Sequence, residues 1–338
     1  MRTSPHPPYR WFLALALVLS LALAAWPAGS LAALRVAVIS DLNGSYGSTR
    51  YEPAVPAAVQ RLLELKPDLV ISTGDMVAGQ RLHPPLGSGA VTAMWSSFHA
   101  TVSEPLARAR IPLAVTPGNH DASAYEAFAL ERESFRREWL ARKPAVRFVD
   151  DAGYPFRYAF SAGDALFIAL DVTRVGAVDA DQKRWLKQLL GREGARFRHR
   201  VVFSHLPVYP FTRGRETEVS ADHELERLLR KHGVEMYLSG HHHAFYPGYR
   251  NGIRFVSQAC LGAGPRPLLG TTVRSERAIT LLEIADDGRL AVRALAAPEF
   301  RREIARSRLP RSITTRYGTL IRDDLQATAG TEGAHLVE

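Results

Sequence analysis

The 338-residue chain reads as an α/β fold, and three observations predict it. Short apolar runs alternate with segments whose apolar residues recur at helical spacing, which is the pattern of strands and helices taken in turn. Small polar clusters follow directly on several of these runs, where strand-end loops belong. Hydrophobic residues make up 46% and charged residues 23% of the chain. That balance suits a globular protein and excludes collagen, coiled coil and wholesale disorder.

The elements follow in order. Residues 34–39, apolar apart from Arg35, predict a buried strand. Over residues 53–66, Val55, Val59, Leu62 and Leu63 recur at helical spacing. Residues 68–72 predict the next strand. Residues 77–105 are rich in Gly, Pro and Ser and predict a loop insertion near the site. Residues 111–115 predict a third strand, closed by Pro117-Gly118. Ser123-Ala124-Tyr125-Glu126 has the form of a capping box, with Phe128, Phe135 and Trp139 continuing a helical face behind it. Further strands are predicted over 165–170, 200–203, 234–238 and 253–257, and the last two over 278–284 and 290–294. Residues 182–190 and 221–231 predict helices, the second closed by Gly233.

The ends of the chain differ from its middle. Arg2 and Arg10 open an almost wholly apolar stretch that Pro27 and Gly29 break, and Ser30-Leu31-Ala32 puts small residues at the cleavage positions. That order predicts a signal peptide over residues 1–32 and a secreted or periplasmic protein. The stretch is short for a span, which takes about 20 apolar residues. A membrane is expected as a partner only if the segment stays uncleaved. Residues 33–300 are expected to form the catalytic domain, and 301–338 a basic C-terminal extension, flexible after about Gln326. Cys260 is the only cysteine, which rules out an intrachain disulfide framework and leaves a small buried hydrophobe. Lys and Arg number 43 against 34 Asp and Glu, a formal charge of +9. A positive surface draws phosphorylated small molecules and leaves nucleic acid open as a partner. No stretch interleaves aromatic and basic residues as a nucleic-acid groove would.

Five short segments carry the chemistry: Ser40-Asp41-Leu42-Asn43, Thr73-Gly74-Asp75, Gly118-Asn119-His120-Asp121, Ser204-His205-Leu206-Pro207 and Gly240-His241-His242-His243. Each starts at or just after the end of a predicted strand. In α/β folds ligands gather beyond the carboxyl ends of the strands. Taken singly, each segment is ordinary turn chemistry. Five in succession, all rich in Asp, Asn and His, point to oxygen and nitrogen ligands for manganese, iron or zinc.

As a set, the segments resemble the signature of the calcineurin-like metallophosphoesterase superfamily. That signature runs Asp-x-His, Gly-Asp, Gly-Asn-His-Asp/Glu, a lone His, then Gly-His-x-His, and the order here is the same from Asp41 to His243. The resemblance implies a four-layer αββα sandwich of two β-sheets flanked by helices, with the metal site at one edge. It implies two divalent metal ions. Asp41 and His243 would bind the first, Asn119, His205 and His241 the second, and Asp75 would bridge them. His120 would face the substrate and protonate the leaving oxygen, with Asp121 as its orienting partner. The implied reaction is hydrolysis of a phosphate mono- or diester by a hydroxide shared between two cations about 3.5–4 Å apart. A water so placed loses its proton far more readily than bulk water. No Gly-x-Ser-x-Gly elbow competes with this mechanism.

One position departs from the signature: Asn43 stands where the family has His. Asn43 can ligate through its carbonyl oxygen, act through a water, or not bind at all. An oxygen-richer first site favours manganese there. Tyr46 lies three residues on, but the tyrosine ligand of purple acid phosphatases, a branch of the family, follows Gly-Asp at a fixed spacing. Here that stretch is Gly74-Asp75-Met76-Val77-Ala78. Trp95, Phe98 and His99 are read as pocket or core, His242 as a neighbour of the ligands, Asp171 as a support or a turn, and Arg213 and Arg215 as possible phosphate contacts. The expected function is an exported metal-dependent phosphoesterase. The alternatives are a catalytically weak metal-binding scaffold, which Asn43 favours, and an exported nuclease.

Overall fold

The apolar runs become strands buried on both faces, and the polar segments become the loops at their ends. The structure is a computed structural model that describes Met1, residues 34–262 and residues 264–326. The expected signal segment beyond Met1 and the tail beyond Gln326 lie outside the described residues. The strands are β1 (Leu34–Ile39), β2 (Leu69–Ser72), β3 (Leu113–Val115), β4 (Arg147–Gly153), β5 (Arg157–Ala162), β6 (Ala165–Ala169), β7 (His199–Ser204) and β8 (Met236–Ser239). They continue with β9 (Tyr246–Arg250), β10 (Ile253–Ser257), β11 (Ala278–Ile284), β12 (Leu290–Ala296), β13 (Arg302–Glu303), β14 (Ser312–Thr315) and β15 (Gly318–Arg322). The helices are α1 (Ala54–Leu65), α2 (Ser88–Phe98), α3 (Glu104–Arg108), α4 (Asn119–Ala122), α5 (Ala129–Leu140), α6 (Ala180–Glu193) and α7 (His223–Lys231).

Among the described residues the strands form two mixed sheets, six-stranded in the order β13-β12-β11-β1-β2-β3 and nine-stranded in the order β14-β15-β9-β10-β8-β7-β6-β5-β4. Each sheet holds a parallel block: β1, β2 and β3 at one edge of the first, and β6, β7, β8 and β10 in the middle of the second. Antiparallel strands join the first block on its β1 side and the second block on both sides. Parallel strands carry their carboxyl ends to the same edge, so the two blocks present two sets of loops.

β6 shows how the layers are made. Ala165, Phe167 and Ala169 join the core cluster shared with the first sheet, while Leu166 and Ile168 join a second cluster with Leu186 and Leu189 of α6 and Leu225 and Leu229 of α7. Alternate side chains face opposite ways, so a strand covered on both sides must be apolar throughout. α1 supplies Val55, Ala58, Val59 and Leu62 to the first cluster. The result is the expected sandwich of two sheets with helices outside. Asp179 caps α6 by accepting from the Asp181 and Gln182 amides, and Asp222 caps α7 by accepting from Leu225.

Three expectations change. The stretch expected as a loop insertion holds α2, whose Val91, Met94, Trp95 and Phe98 are buried. Spacing of i, i+3, i+4 and i+7 outweighs the weak helix propensity of its Gly and Ser. Trp95, Phe98 and His99 are core, buried and packed on Trp139 at ring distances of 6.1–6.2 Å. Ser123 does not cap a helix; its hydroxyl accepts from the Tyr125 amide, a 3₁₀ turn spans Glu126–Phe128, and α5 begins at Ala129. The capping carboxylate of this region is Asp121, which accepts from the Gly118 amide at 2.9 Å and closes the first turn of α4. Beyond Phe300, β13 pairs with β12, and the β14–β15 hairpin pairs with β9, so this segment extends both sheets.

Candidate metal centre

Five parallel strands each release one site segment at their carboxyl ends. Asp41 follows β1, Asp75 follows β2, Asn119 and His120 follow β3, His205 follows β7, and His241 and His243 follow β8. Backbone bonds join neighbouring segments: the Asp41 amide donates to Gly74 O at 3.0 Å, and the Gly240 amide to His205 O at 3.0 Å. The two sheets meet where the Gly262 amide donates to Asp41 O at 2.8 Å and the His205 Nδ1–H donates to Thr73 O at 2.9 Å. The ends of both sheets therefore form one floor.

That floor is strained. Asp41, Asp75, His241 and His243 all have φ between 51° and 65°, four of the ten non-glycine residues with positive φ among the described residues. Such a conformation costs a residue with a side chain about 1–2 kcal/mol. Strain of this kind collects where function requires a geometry. The motif glycines are equally constrained. A Cβ on Gly118 would lie 2.2 Å from Asp75 Oδ1, and one on Gly240 would lie 2.8 Å from Asp41 Oδ2. Only glycine lets the backbone press this closely on the two carboxylates.

The side chains converge. His205 Nε2 lies 2.8 Å from Asn119 Oδ1, 3.2 Å from His241 Nδ1 and 3.3 Å from Asp75 Oδ2. On the other side of the floor His243 Nε2 lies 3.2 Å from Asp41 Oδ1, and its Nδ1–H donates to Gly264 O. Asp41, Asp75, His205 and His241 are buried. Burial opposes charge at Asp75, but His205 and His120 hold its carboxyl well below the usual range. At Asp41 burial is likewise outweighed by His243. Burial disfavours the charged imidazoles too, yet Asp75 raises His205 to about 9 and Asp41 raises His243 to about 10. His241, buried beside His205 and Arg215, is pushed well below its ordinary value.

The sequence model of the calcineurin-like phosphoesterases matches residues 34–245, which take in all five segments. The chain belongs to the calcineurin-like phosphoesterase family. Solved structures agree on the fold. A purple acid phosphatase from yellow lupin (Lupinus luteus) seeds superposes with a TM-score of 0.58 at 16% identity, over 78% of this chain and 51% of that one. The chain thus spans about half the length of the lupin protein. A dimetal phosphatase from Danio rerio gives 0.54 at 16% identity, over 81% and 98% of the two chains. The anchor in the inner membrane complex of Plasmodium gives 0.53 at 12%, over 88% and 94%. No curated protein matches the chain.

The residues fit the dimetal centre that this calcineurin-like family implies. Asp75, His205 and His241 each offer a ligand atom within 4.8 Å of the others. His205 Nε2 lies 3.2 Å from His241 Nδ1 and within 3.3 Å of the Asn119 amide oxygen and an Asp75 carboxylate oxygen, a donor set suited to a cation. Asp75, Asn119, His205 and His241 would hold the second ion, and Asp41, Asp75 and His243 the first. Asn43 is buried at the same floor, its amide donating to Asp75 O at 3.1 Å, and its side chain makes no hydrogen bond among the described residues. Tyr46 is not at the floor: it is exposed, and its ring lies 5.3 Å from that of His120.

Asp121 is not the partner of His120. Its carboxylate accepts from the Met76, Val77 and Gly118 amides at 2.7, 2.9 and 2.9 Å. Burial, with Asp75 nearby, raises its carboxyl to about 7. His120 is oriented instead by Gly79, whose carbonyl accepts from Nδ1–H at 2.9 Å. A neighbour in sequence has its side chain turned the other way by the first turn of α4. Asp171 is a support, paired with Arg132 and held by Thr173. His242 is fully buried; its Nδ1 accepts from the Phe211 and Thr212 amides and its Nε2–H donates to Glu218 O. Sequence reasoning missed Glu218, whose carboxylate oxygen lies 2.8 Å from His241 Nε2. No spacing rule marks it. Its one signal is Arg215 three residues earlier in the same loop, with which it pairs.

Proposed function

We propose that this protein is a metal-dependent hydrolase of phosphate esters, exported from the cell that makes it. The observation that carries the reading is the convergence of Asp75, His205 and His241 with Asp41, His243 and His120 at the joined ends of two sheets. When bound, the pair of cations supplies Lewis acidity, which acidifies water and offsets the charge of the phosphoryl oxygens.

The chain's own residues do the rest. Thr73 O holds His205 by its Nδ1–H, which leaves Nε2 directed toward Asp75 and Asn119 where a cation would sit. Gly79 O can only accept, so His120 Nδ1 carries a proton there. In the imidazolium form, Nε2, 4.0 Å from Asp75 Oδ2, also carries a proton, and it is the atom that would pass that proton to the leaving oxygen. The His120 amide donates to Asp75 Oδ1 at 2.8 Å, so His120 and the Asp75 carboxylate are set by one another. Arg215 Nη1 lies 3.1 Å from His241 Nε2 and the Arg266 amide donates to His243 O; their buried Nε atoms have no hydrogen-bond partner among the described residues, and both add a positive field for an anionic substrate.

A phosphorylated small molecule is the substrate class we favour over nucleic acid. Five of the seven arginines between Arg301 and Arg322 are spent on ion pairs: Arg301 with Glu64, Arg302 and Arg308 with Glu276, Arg306 with Asp323, and Arg322 with Asp324. A catalytically weak scaffold is the second reading, and Asn43 is the residue that favours it. A chelated protein, resupplied with manganese and offered an aryl phosphate monoester, a diester and single-stranded DNA, separates the three. Metal-dependent turnover of a small ester supports the proposal. Turnover of DNA alone, or metal uptake without turnover, contradicts it. The export proposal rests on the pattern of residues 1–32, and a secreted protein that retains those residues would overturn cleavage there.

A further inference from the structure

The loop between β7 and α7 returns to the metal centre after leaving it at His205. His242 pins this loop. It is fully buried, takes the Phe211 and Thr212 amides and the Thr212 hydroxyl on Nδ1, and donates from Nε2 to the Glu218 carbonyl at 3.1 Å. The Ser220 amide closes the loop on Pro207 O at 2.8 Å. The pinned loop sets two side chains on the outer edge of His241. Glu218 Oε2 lies 2.8 Å from His241 Nε2, Arg215 Nη1 lies 3.1 Å from the same nitrogen, and Arg215 and Glu218 are paired with each other.

The two neighbours make opposite demands on Nε2. Glu218 can only accept, so it needs a proton on Nε2, whereas Arg215 can only donate and needs a lone pair there. His241 Nδ1 points inward, 3.2 Å from His205 Nε2. A cation bound on that inner side takes the Nδ1 lone pair and leaves the proton on Nε2. The loaded state therefore selects Glu218 as the partner, and Arg215 then serves Glu218 and not the ring.

We infer that Glu218 is the positioning residue for His241, and that Arg215 holds Glu218 in place. The inference rests on the metal-centre reading above. Glu218 touches no reacting atom; it fixes the tautomer and the plane of the imidazole that faces the second cation. Outer carboxylates of this kind carry about 10–100-fold in metal affinity.

The test is manganese(II) titration of the stripped full-length protein, with free ion read by its magnetic resonance signal. The wild type should take up two ions. Glu218→Ala should weaken one of the two sites by about 10–100-fold. Glu218→Gln, which keeps an oxygen able to accept from Nε2–H, should recover most of that loss. The Glu218 side chain is 38% exposed, so metal-free Glu218→Ala should melt with the metal-free wild type. Unchanged affinity in Glu218→Ala, or equal losses in the Ala and Gln variants, would overturn the assignment while leaving the metal centre standing. A wild type that takes up no manganese would overturn the metal-centre reading and this one with it.

Discussion

At the scale of single residues, His120 is divided between two tasks. Nδ1 is committed to Gly79 O, and Nε2 faces the floor. If it serves the leaving group, His120→Ala should lower turnover by about 10²–10⁴-fold with both metals retained. The loss should be larger for alkyl than for aryl esters, whose leaving groups need less help. Loss of bound metal, or an equal loss for both ester types, would speak for a ligand or a strut. Asn43 makes the second residue-scale prediction. With an amide where the family has imidazole, the first site presents mainly oxygen and should favour manganese. Asn43→His should tighten that site and turn its preference toward zinc or iron, which competition titrations of the two proteins can measure. Identical preferences would remove Asn43 from the metal's surroundings.

At the scale of elements, the site segments were legible because each sits at the end of an apolar run. A strand buried on both faces announces its own length, and the polar residues after it announce the loop. Asp41, Asp75, Asn119, His205, His241 and His243 were readable for that reason. Other features carried no such mark. β4 runs Arg147–Gly153 half exposed and with irregular pairing to β5, so its sequence shows no clean alternation. The orientation of Asp121 depends on the first turn of α4, which no motif encodes. Glu218 is selected by tertiary contact alone. The core around α2 and α5 adds a prediction of its own. His99 is 2% exposed, and burial, with Arg142 nearby, lowers its pKa although Glu138 and Glu104 pull the other way. Its Nδ1 meets the Ser103 hydroxyl at 2.7 Å, and its Nε2 lies 3.3 Å from Glu138. The unfolded chain therefore binds this proton more readily than the folded one. The stability that neutral His99 contributes is present above about pH 6.5, its ordinary value, and is lost as the pH falls below it. Denaturant unfolding of the wild type should weaken from about pH 6.5 downward, and His99→Gln should flatten that acid limb. Equal slopes in both proteins would contradict it.

At the scale of the whole molecule, the two sheets have a shared purpose. Each one alone brings only part of the candidate ligand set: Asp41, Asp75 and Asn119 come from the first, and His205, His241 and His243 from the second. Cross-sheet contacts, such as His205 to Thr73 O and the His241 amide to the Asp41 carboxylate, make the centre a product of the sandwich and not of either layer. Among the described residues no helix is long and apolar enough to cross a membrane. Catalysis is expected to need both ions on this joint floor, with Asp75 as the residue whose loss would disturb both. The most direct measurement is turnover of an aryl phosphate by the stripped protein as manganese is added stepwise, with bound metal counted at each step, in the wild type and in Asp75→Asn. The account predicts no turnover when stripped, a rise that completes with the second bound ion, and almost none at any step in a folded Asp75→Asn. Full turnover in the stripped protein, or with a single ion bound, would contradict it.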